Sequence, residues 1–205
     1  SKHNMCMIAG KVMMDRNAPD NLIDDPKSSY RDTKALISKW HEKGRNYYAI
    51  SPRFAITSSP EQLSQAGRLV SEFPTCYLQT HLAENEEEIS YTLSLYPRSN
   101  NYLDIYRGFG LVGNKSLMGH SIHLSPNEIA ALKDLEAVAV HCPTSNMFLG
   151  SGFFPLNNLI KSGVKVGIAS DVGGGTSYSM INNLDAAYKI QQFLKFSVKP
   201  MYSFY

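Results

Sequence analysis

Short apolar runs alternate along the chain with longer amphipathic stretches. The runs are rich in Val, Ile, Tyr and Met, and they largely lack the polar alternation of a strand with one face in water. They therefore predict strands buried on both faces, as in a parallel sheet flanked by helices. The predicted strands are Met5–Met13, Tyr47–Ile56, Cys76–His81, Ser116–His120, Ala137–Cys142 and Val164–Ser170.

The stretches between these runs have helical patterns. One begins with Ser59 as N-cap and Pro60 at the first helical position, and another is capped by Ser125. The predicted helices are Ser28–Lys43, Pro60–Glu72, Asn85–Leu95, Pro126–Leu135, Pro155–Lys161 and Ser179–Phe193. We also expect the single tryptophan and a group of methionines in the core, namely Trp40, Met5, Met7, Met13 and Met14.

Six strand–helix repeats fit either a doubly wound open sheet or a (β/α)8 barrel of the TIM type. A complete barrel needs eight units and ~250 residues, so this chain is about two units short. Polar residues at strand ends favour the barrel, because all its strands end at one mouth, whereas an open sheet gathers ligands at one switch point. These residues are Arg53, His81, His120, His141 and Asp171. We predict an incomplete barrel forming one catalytic domain over residues 1–205.

Composition excludes several other classes of protein. With 43% hydrophobic residues and a net charge of +2, the chain is not disordered and has no basic footprint for nucleic acid. No apolar run approaches the ~20 residues of a membrane span, and no signal-peptide core is present. Three widely spaced cysteines, Cys6, Cys76 and Cys142, do not form a disulfide framework. We therefore expect a cytoplasmic protein without membrane or nucleic-acid partners.

The segment Thr80–Asn85 combines a histidine at a strand end with a carboxylate three residues on. His81 would hold a metal from the barrel mouth while Glu84 reaches the water bound to that metal. A buried histidine followed by a carboxylate that stabilises the helix N-terminus explains the same residues structurally. Both interpretations stay open on this segment alone.

Two further strand ends carry residues of the same type. His120 ends one strand, with His123 more plausibly in the loop or an outer layer, and Asp171 ends another. An aspartate in that position is often only a helix cap. Histidines and a carboxylate on separate strands together nevertheless suit a catalytic zinc, which keeps one coordination position open for water.

Two other motifs have simpler structural explanations. His141 and Cys142 resemble a nucleophile pair, but adjacent strand residues point to opposite faces, so a buried thiol beside a structural histidine is favoured. The run Gly173–Gly175 lacks the Lys-Ser/Thr of a P-loop. It gives the backbone room beside a ligand or forms a plain turn.

The combination of motifs resembles the amidohydrolase superfamily and its purine and pyrimidine deaminase branch. The shared motifs are THLAEN at His81, GHS at His120, HCPTSN at His141 and SDVGGG at Asp171. More narrowly, the chain is similar to the guanine deaminases, from about Gly10 to Gln192, through GKVMMD, SPRF, LYPRSNNY and GGTSYSM.

This resemblance implies hydrolytic deamination of guanine to xanthine and ammonia. It implies one Zn²⁺ per chain, held by His81 and Asp171, with Glu84, His120 and Asp171 as catalytic residues. Substrate would contact Arg53 and Phe54 in addition to His81, Glu84 and Asp171. Guanine presents adjacent O6 and N7 acceptors that the Arg53 guanidinium takes with two hydrogen bonds, whereas adenine carries a donor at position 6.

The chain departs from this family in one respect. The family carries a His-x-His pair on its first barrel strand, upstream of every motif found here, and this chain has none there. We therefore expect an internal fragment that lacks the first two strands and the small β domain. The alternatives are a relative acting on another aminated or chlorinated heterocycle and a catalytically incompetent fragment. Barrel enzymes of this type are often dimers, so a homodimer is expected.

Overall fold

The computed structural model describes residues 4–195, and within them the strands form one all-parallel sheet. The order across the sheet is β1-β3-β4-β5-β6-β7, and β2 also pairs with β3. In this part of the chain β1 and β7 each have a partner on one side only, so the sheet stays open. The strands are β1 (Met7–Ala9), β2 (Val12–Met13), β3 (Asn46–Pro52), β4 (Tyr77–Leu82), β5 (Ser116–His120), β6 (Val138–His141) and β7 (Lys165–Ile168).

Helices follow the strands as the periodicity predicts. They are α1 (Pro26–Trp40), α2 (Pro60–Glu72), α3 (Glu86–Leu95), α4 (Tyr102–Gly108), α5 (Pro126–Asp134), α6 (Pro143–Phe148), α7 (Leu156–Lys161) and α8 (Met180–Phe193). The helices α4 and α6 were not predicted, and α1 begins two residues and ends three residues before the predicted Ser28–Lys43. Between residues 4 and 195, none of these helices has the length and apolar character needed to cross a bilayer.

Side-chain caps explain why several helices begin where they do. The Ser59 hydroxyl accepts a hydrogen bond from the amide of Gln62 at 3.1 Å, which confirms the predicted start of α2. Ser125 caps α5 through a reciprocal capping box with Glu128, which confirms the second predicted cap. A second capping box, between Asn85 and Glu88, begins α3 shortly after β4.

One predicted strand is divided into two. The run Met5–Met13 forms β1 and β2, which pair with β3 in the same register, and residues 10 and 11 between them belong to neither strand. A Cβ at Gly10 would collide with the carbonyl oxygen of Ala49, so only glycine fits this close approach to β3. The next amide, that of Lys11, donates to the Tyr48 hydroxyl instead of to a strand carbonyl.

The core lies between the sheet and the helices. Fully buried side chains from both layers fill it, among them Leu63, Leu69, Leu82, Leu103, Tyr106, Met118, Leu132 and Leu159. The expected burial of Trp40 and of two methionines is wrong: Trp40 is 47% exposed, Met5 64% and Met7 55%, whereas Met13 is buried. Met7 lies on β1, which has β3 on one side and no described strand on the other.

Strand register brings the polar strand ends to one edge of the sheet. His81 lies opposite Gly119, and the next pair along is Leu82 with His120. His141 lies opposite Ile168, three residues before Asp171. Because the strands are parallel, their carboxyl ends share this edge, as predicted from the sequence.

Candidate active site

Arg53 and Phe54 follow the end of β3 and begin the site. The amide of Arg53 donates a hydrogen bond to the carbonyl oxygen of Met13 at 3.1 Å. The carbonyl oxygen of Arg53 accepts one from the amide of His81, also at 3.1 Å. The guanidinium lies over the Phe54 ring, 4.7 Å from its centroid. The Phe54 ring in turn lies 5.2 Å from the His81 ring. The neighbouring strands therefore place an arginine and an aromatic ring beside the first predicted metal ligand.

His81 has its ring orientation fixed by a backbone carbonyl. Its Nδ1 lies 2.7 Å from the carbonyl oxygen of Arg53. A carbonyl oxygen only accepts, so Nδ1 carries the proton and Nε2 of the neutral ring keeps its lone pair. Burial lowers the pKa of His81, and the neighbouring His120 lowers it further. Both effects favour the neutral form that ligates metals.

Glu84 lies just past β4, where the backbone turns sharply. Ala83 has a positive φ of 49°, an uncommon conformation for a residue other than glycine. The amide of Glu84 donates to the buried carboxylate of Glu88 at 2.9 Å, which fixes the turn. Its own carboxylate accepts from the Ser151 hydroxyl at 3.1 Å. Glu84 is therefore supported on both its backbone and its side chain.

His120 lies at the centre of the cluster and is buried. Its Nδ1 is 3.0 Å from Oδ1 of Asn146 and 3.7 Å from Oε1 of Glu84. Its Nε2 lies 3.9 Å from Oδ2 of Asp171. The ring stacks on that of His81 with 5.2 Å between centroids. His120 also has a positive φ of 66°. Strain of this kind is found at active sites, where the surrounding structure maintains it.

Asp171 follows β7 and is the third strand-end residue with a positive φ, 46°. Its Oδ2 accepts a hydrogen bond from the Ser145 hydroxyl at 2.6 Å. A Cβ at Gly174 would lie 2.9 Å from both Oδ2 of Asp171 and the Ser145 hydroxyl, and one at Gly175 would collide with the Ser170 carbonyl oxygen. The glycine run forms a turn in which the backbone passes close to the Asp171 carboxylate.

His141 and Cys142 fit the structural explanation. The His141 ring stacks on Phe154 at 4.5 Å and an interplanar angle of 10°. Burial, with a smaller effect from His120, lowers the pKa of His141 to about 3. Burial raises the pKa of the Cys142 thiol to about 12, which leaves almost no thiolate at neutral pH. His123 contacts the carbonyl of Ser151 through Nε2 from the loop after β5.

All the predicted site residues meet at one edge of the sheet. A chain of contacts joins Arg53, Phe54, His81, His120, Glu84 and Asp171. The donor chemistry fits zinc, because His81 offers a bare Nε2 and Asp171 a carboxylate. Within residues 4–195, however, no three His, Cys, Asp or Glu side chains are grouped to hold a metal. His81 and Asp171 are candidate ligands, and a zinc site needs further ones.

Sequence reasoning missed the residues that support this cluster. Ser145 and Asn146 lie on α6, a helix of six residues, and contact Asp171 and His120. Ser151 contacts Glu84 across a sequence separation of 67. Their hydroxyl and amide groups are common throughout the chain. One signal could have identified Ser145 and Asn146: they belong to the HCPTSN motif, which follows β6, and β6 ends at the same edge of the sheet as the predicted site residues.

The whole chain is similar to known hydrolases. The model of the Amidohydrolase family matches residues 1–204. The guanine deaminase of Escherichia coli K12 is 48% identical over 202 residues, and the match covers 98% of this chain and 46% of that protein. Its solved structure superposes with a TM-score of 0.97 at 47% identity, covering 100% of this chain and 48% of that one.

Two other solved structures extend the comparison. A guanine deaminase from C. acetobutylicum with bound guanine matches with a TM-score of 0.83 and 35% identity, over 92% of this chain and 46% of that chain. An adenosine deaminase from Xanthomonas campestris with bound zinc matches at 19% identity and a TM-score of 0.82, over 95% and 43% of the chains, which shows the fold alone. The open parallel sheet is therefore part of an amidohydrolase barrel. The chain spans about half the length of the curated relatives it matches.

Proposed function

The chain belongs to the amidohydrolase family, and from that premise we propose that the protein containing it is a zinc-dependent guanine deaminase. The observation that carries the proposal is the contact chain from Arg53 through Phe54 to His81. It places a planar hydrogen-bond donor and an aromatic ring beside the groups that would carry the chemistry. The 48% identity with the guanine deaminase of Escherichia coli K12 supports the proposal.

Arg53 would select the substrate. A guanidinium presents parallel N–H donors that match the adjacent O6 and N7 acceptors of guanine. Stacking on Phe54 holds the guanidinium plane before substrate arrives. Adenine has an amino donor at position 6, which would face the arginine donor and leave it unpaired. Phe54 would also contact the purine ring.

His81 and Asp171 would hold the zinc together with ligands from outside this chain. When bound, zinc supplies an activated water by lowering the pKa of that water to ≈ 7. Nδ1 of His81 keeps its proton and donates it in a hydrogen bond to the Arg53 carbonyl oxygen, so Nε2 would be the ligating atom. The family's match to this chain supports a metal, and the donor types present favour zinc.

Glu84 would transfer the protons. It accepts a proton from the attacking water and delivers it to a ring nitrogen, which makes the amine-bearing carbon C2 more electrophilic. The oxygen of the water bonds to C2 while His120 hydrogen-bonds to the attacking oxygen. Asp171 then passes the second proton to the amino group, the C2–N bond breaks, and ammonia and xanthine are released. Water and guanine are consumed in equal amounts.

We also propose a cytoplasmic location, which the free cysteines Cys6, Cys76 and Cys142 support. The homodimer remains a prediction from the resemblance. The single catalytic domain remains a prediction from the strand–helix pattern, and the expectation of no nucleic-acid or membrane partner rests on composition and charge.

Replacement of Arg53 tests the substrate. Arg53→Lys keeps the charge and removes the two-pronged donor, so we expect kcat/KM for guanine to fall about 100-fold in the full-length protein. Arg31→Lys is the matched control, because Arg31 is highly exposed and pairs only with Asp32 among the described residues. Turnover is followed as ammonia released from guanine, adenine and a chlorinated triazine.

The outcomes separate the three hypotheses. Guanine turnover that is lost in Arg53→Lys and retained in Arg31→Lys supports the proposal. Faster release of ammonia or chloride from another heterocycle would replace guanine as the substrate. Zinc bound without any turnover would favour the catalytically incompetent alternative.

A further inference from the structure

We propose that Ser145 and Asn146, adjacent on α6, are positioning residues. Ser145 orients the Asp171 carboxylate, and Asn146 orients the His120 ring and determines which of its nitrogens accepts a hydrogen bond. The inference deepens the proposed function and rests on it. The two side chains come from one short helix, and each contacts a different strand-end residue of the site. This helix would therefore fix the relative placement of two catalytic groups.

The contact from Asn146 determines the tautomer of His120. Its Oδ1 lies 3.0 Å from Nδ1 of the imidazole, and an amide oxygen only accepts. Nδ1 therefore carries the proton in the neutral ring. Nε2 is left with its lone pair and lies 3.9 Å from the Asp171 carboxylate. His120 would then accept a hydrogen bond from the attacking water through Nε2.

The contact from Ser145 orients the Asp171 carboxylate. The hydroxyl donates to Oδ2 at 2.6 Å, the same oxygen that lies nearest to His120. A hydrogen bond to one carboxylate oxygen restricts rotation about the Cβ–Cγ bond. The other oxygen is left to face the metal or the leaving amine.

The helix that carries these residues is itself held rigidly. Asn146 and Ser145 are buried, and the amide of Ser151 donates to the carbonyl of Asn146 at 2.9 Å. A side chain in such a setting holds its partner in one orientation, which is what a positioning residue requires.

The second amide atom of Asn146 distinguishes this role from plain packing. Nδ2 is buried and has no hydrogen-bond partner within residues 4–195. An unpaired buried donor destabilises a fold, so the amide packs less favourably here than an apolar side chain of the same size would. What the amide adds is the oxygen beside His120, which an apolar side chain could not supply.

The test compares variants of the full-length zinc-loaded protein. Asn146→Leu has similar volume and no acceptor, so we expect kcat for guanine to fall 10–100-fold with KM little changed, because Asn146 contacts His120 and not substrate. Asn146→Asp keeps the acceptor and should recover most of that loss. Thr144→Val, on the same helix, removes a buried hydrogen bond that does not reach the site and is the matched control.

Two further readouts do not depend on turnover. In ¹⁵N-histidine NMR spectra, neutral His120 should carry its proton on Nδ1 in the wild type and in Asn146→Asp, with that preference lost in Asn146→Leu. Ser145→Ala should lose zinc to a chelator 10–100-fold more readily than Thr144→Val, because the Asp171 carboxylate is no longer oriented.

Distinct results would overturn this inference and the proposed function. A wild-type proton on Nε2, or equal losses of kcat in Asn146→Leu and Thr144→Val, would overturn the positioning role. The wild-type spectrum decides the tautomer even if a variant does not fold. Absence of guanine turnover in the wild type would instead overturn the proposed function, while the NMR comparison would still test the positioning.

Discussion

At the scale of single residues, burial and hydrogen bonding decide which of the polar groups are suited to chemistry. His81 and His120 each have one ring nitrogen paired with an oxygen, which leaves the other nitrogen available. His141 instead has both nitrogens buried without a partner in the described part of the chain, and its ring stacks on Phe154. Two histidines therefore keep one ring nitrogen that is suited to chemistry, and the third packs in the core.

The cysteines provide a residue-scale prediction. Burial raises the pKa of Cys76 to about 11 and of Cys142 to about 12, whereas Cys6 is exposed. Only Cys6 of the three should react with iodoacetamide at pH 8 in the native protein, and all three should react after unfolding. Peptide mapping by mass spectrometry measures this. Rapid native labelling of Cys142 would revive the nucleophile interpretation.

His141 predicts a pH dependence of stability. Its pKa is about 3 in the folded protein, against an ordinary value of 6.5. At a pH between these two values, His141 therefore binds a proton in the unfolded chain but not in the folded protein. Its contribution is complete above pH 6.5 and is lost as the pH falls towards 3. Between pH 7 and 5 the free energy of unfolding should fall by about 2 kcal/mol more in the wild type than in His141→Phe.

Urea unfolding at the two pH values measures this difference. Burial also lowers the pKa of His81, which adds to the pH dependence of stability. Because His81 is present in both proteins, its effect cancels in the comparison and the difference reports on His141. An identical pH dependence in the wild type and His141→Phe would show that His141 is charged or accessible in the folded protein.

At the scale of elements, the sequence predicted the strands and their polar ends better than the supports around them. Apolar runs identified β3 to β7, but the expectation that both faces are buried is wrong for the described residues: buried positions alternate with less buried ones along β4, β5 and β6, and β7 has no buried residue. The helices α4 and α6, of seven and six residues, are too short for a convincing period. The contact between Asn146 and His120 spans 26 positions, and no local pattern encodes it. Candidate ligands were therefore predictable, and their positioning contacts were not.

Tyr106 on α4 gives an element-scale prediction. Its buried hydroxyl accepts from the amide of Ala55 at 2.9 Å and donates to the carbonyl of His81 at 2.7 Å, which joins α4 to the ends of β3 and β4. Tyr106→Phe leaves both backbone groups unpaired and should lower the free energy of unfolding by about 1–3 kcal/mol or more. Tyr91→Phe, at a half-exposed position, is the control. Equal unfolding free energies in urea would contradict the bridging role.

At the scale of the whole molecule, the described strands form an open sheet, as part of a barrel would, and the chain covers about half the length of its curated relatives. Within residues 4–195, β1 and β7 have unpaired outer edges, and apolar residues near β1 such as Met7, Ile8 and Val12 are exposed. The relatives are about twice as long as this chain. The described residues thus present one side of a barrel mouth, with Arg53 and Glu84 both at that edge of the sheet.

Ammonia and xanthine release from guanine by the full-length zinc-loaded protein tests the central claim most directly. We predict one ammonia per guanine consumed, with kcat reduced about 10²–10⁴-fold in Glu84→Gln. Turnover should be nearly unchanged in Glu86→Gln, whose side chain is 87% exposed two residues away. No release by the wild type, or full activity in Glu84→Gln, would contradict the account of this strand edge as a deaminase site.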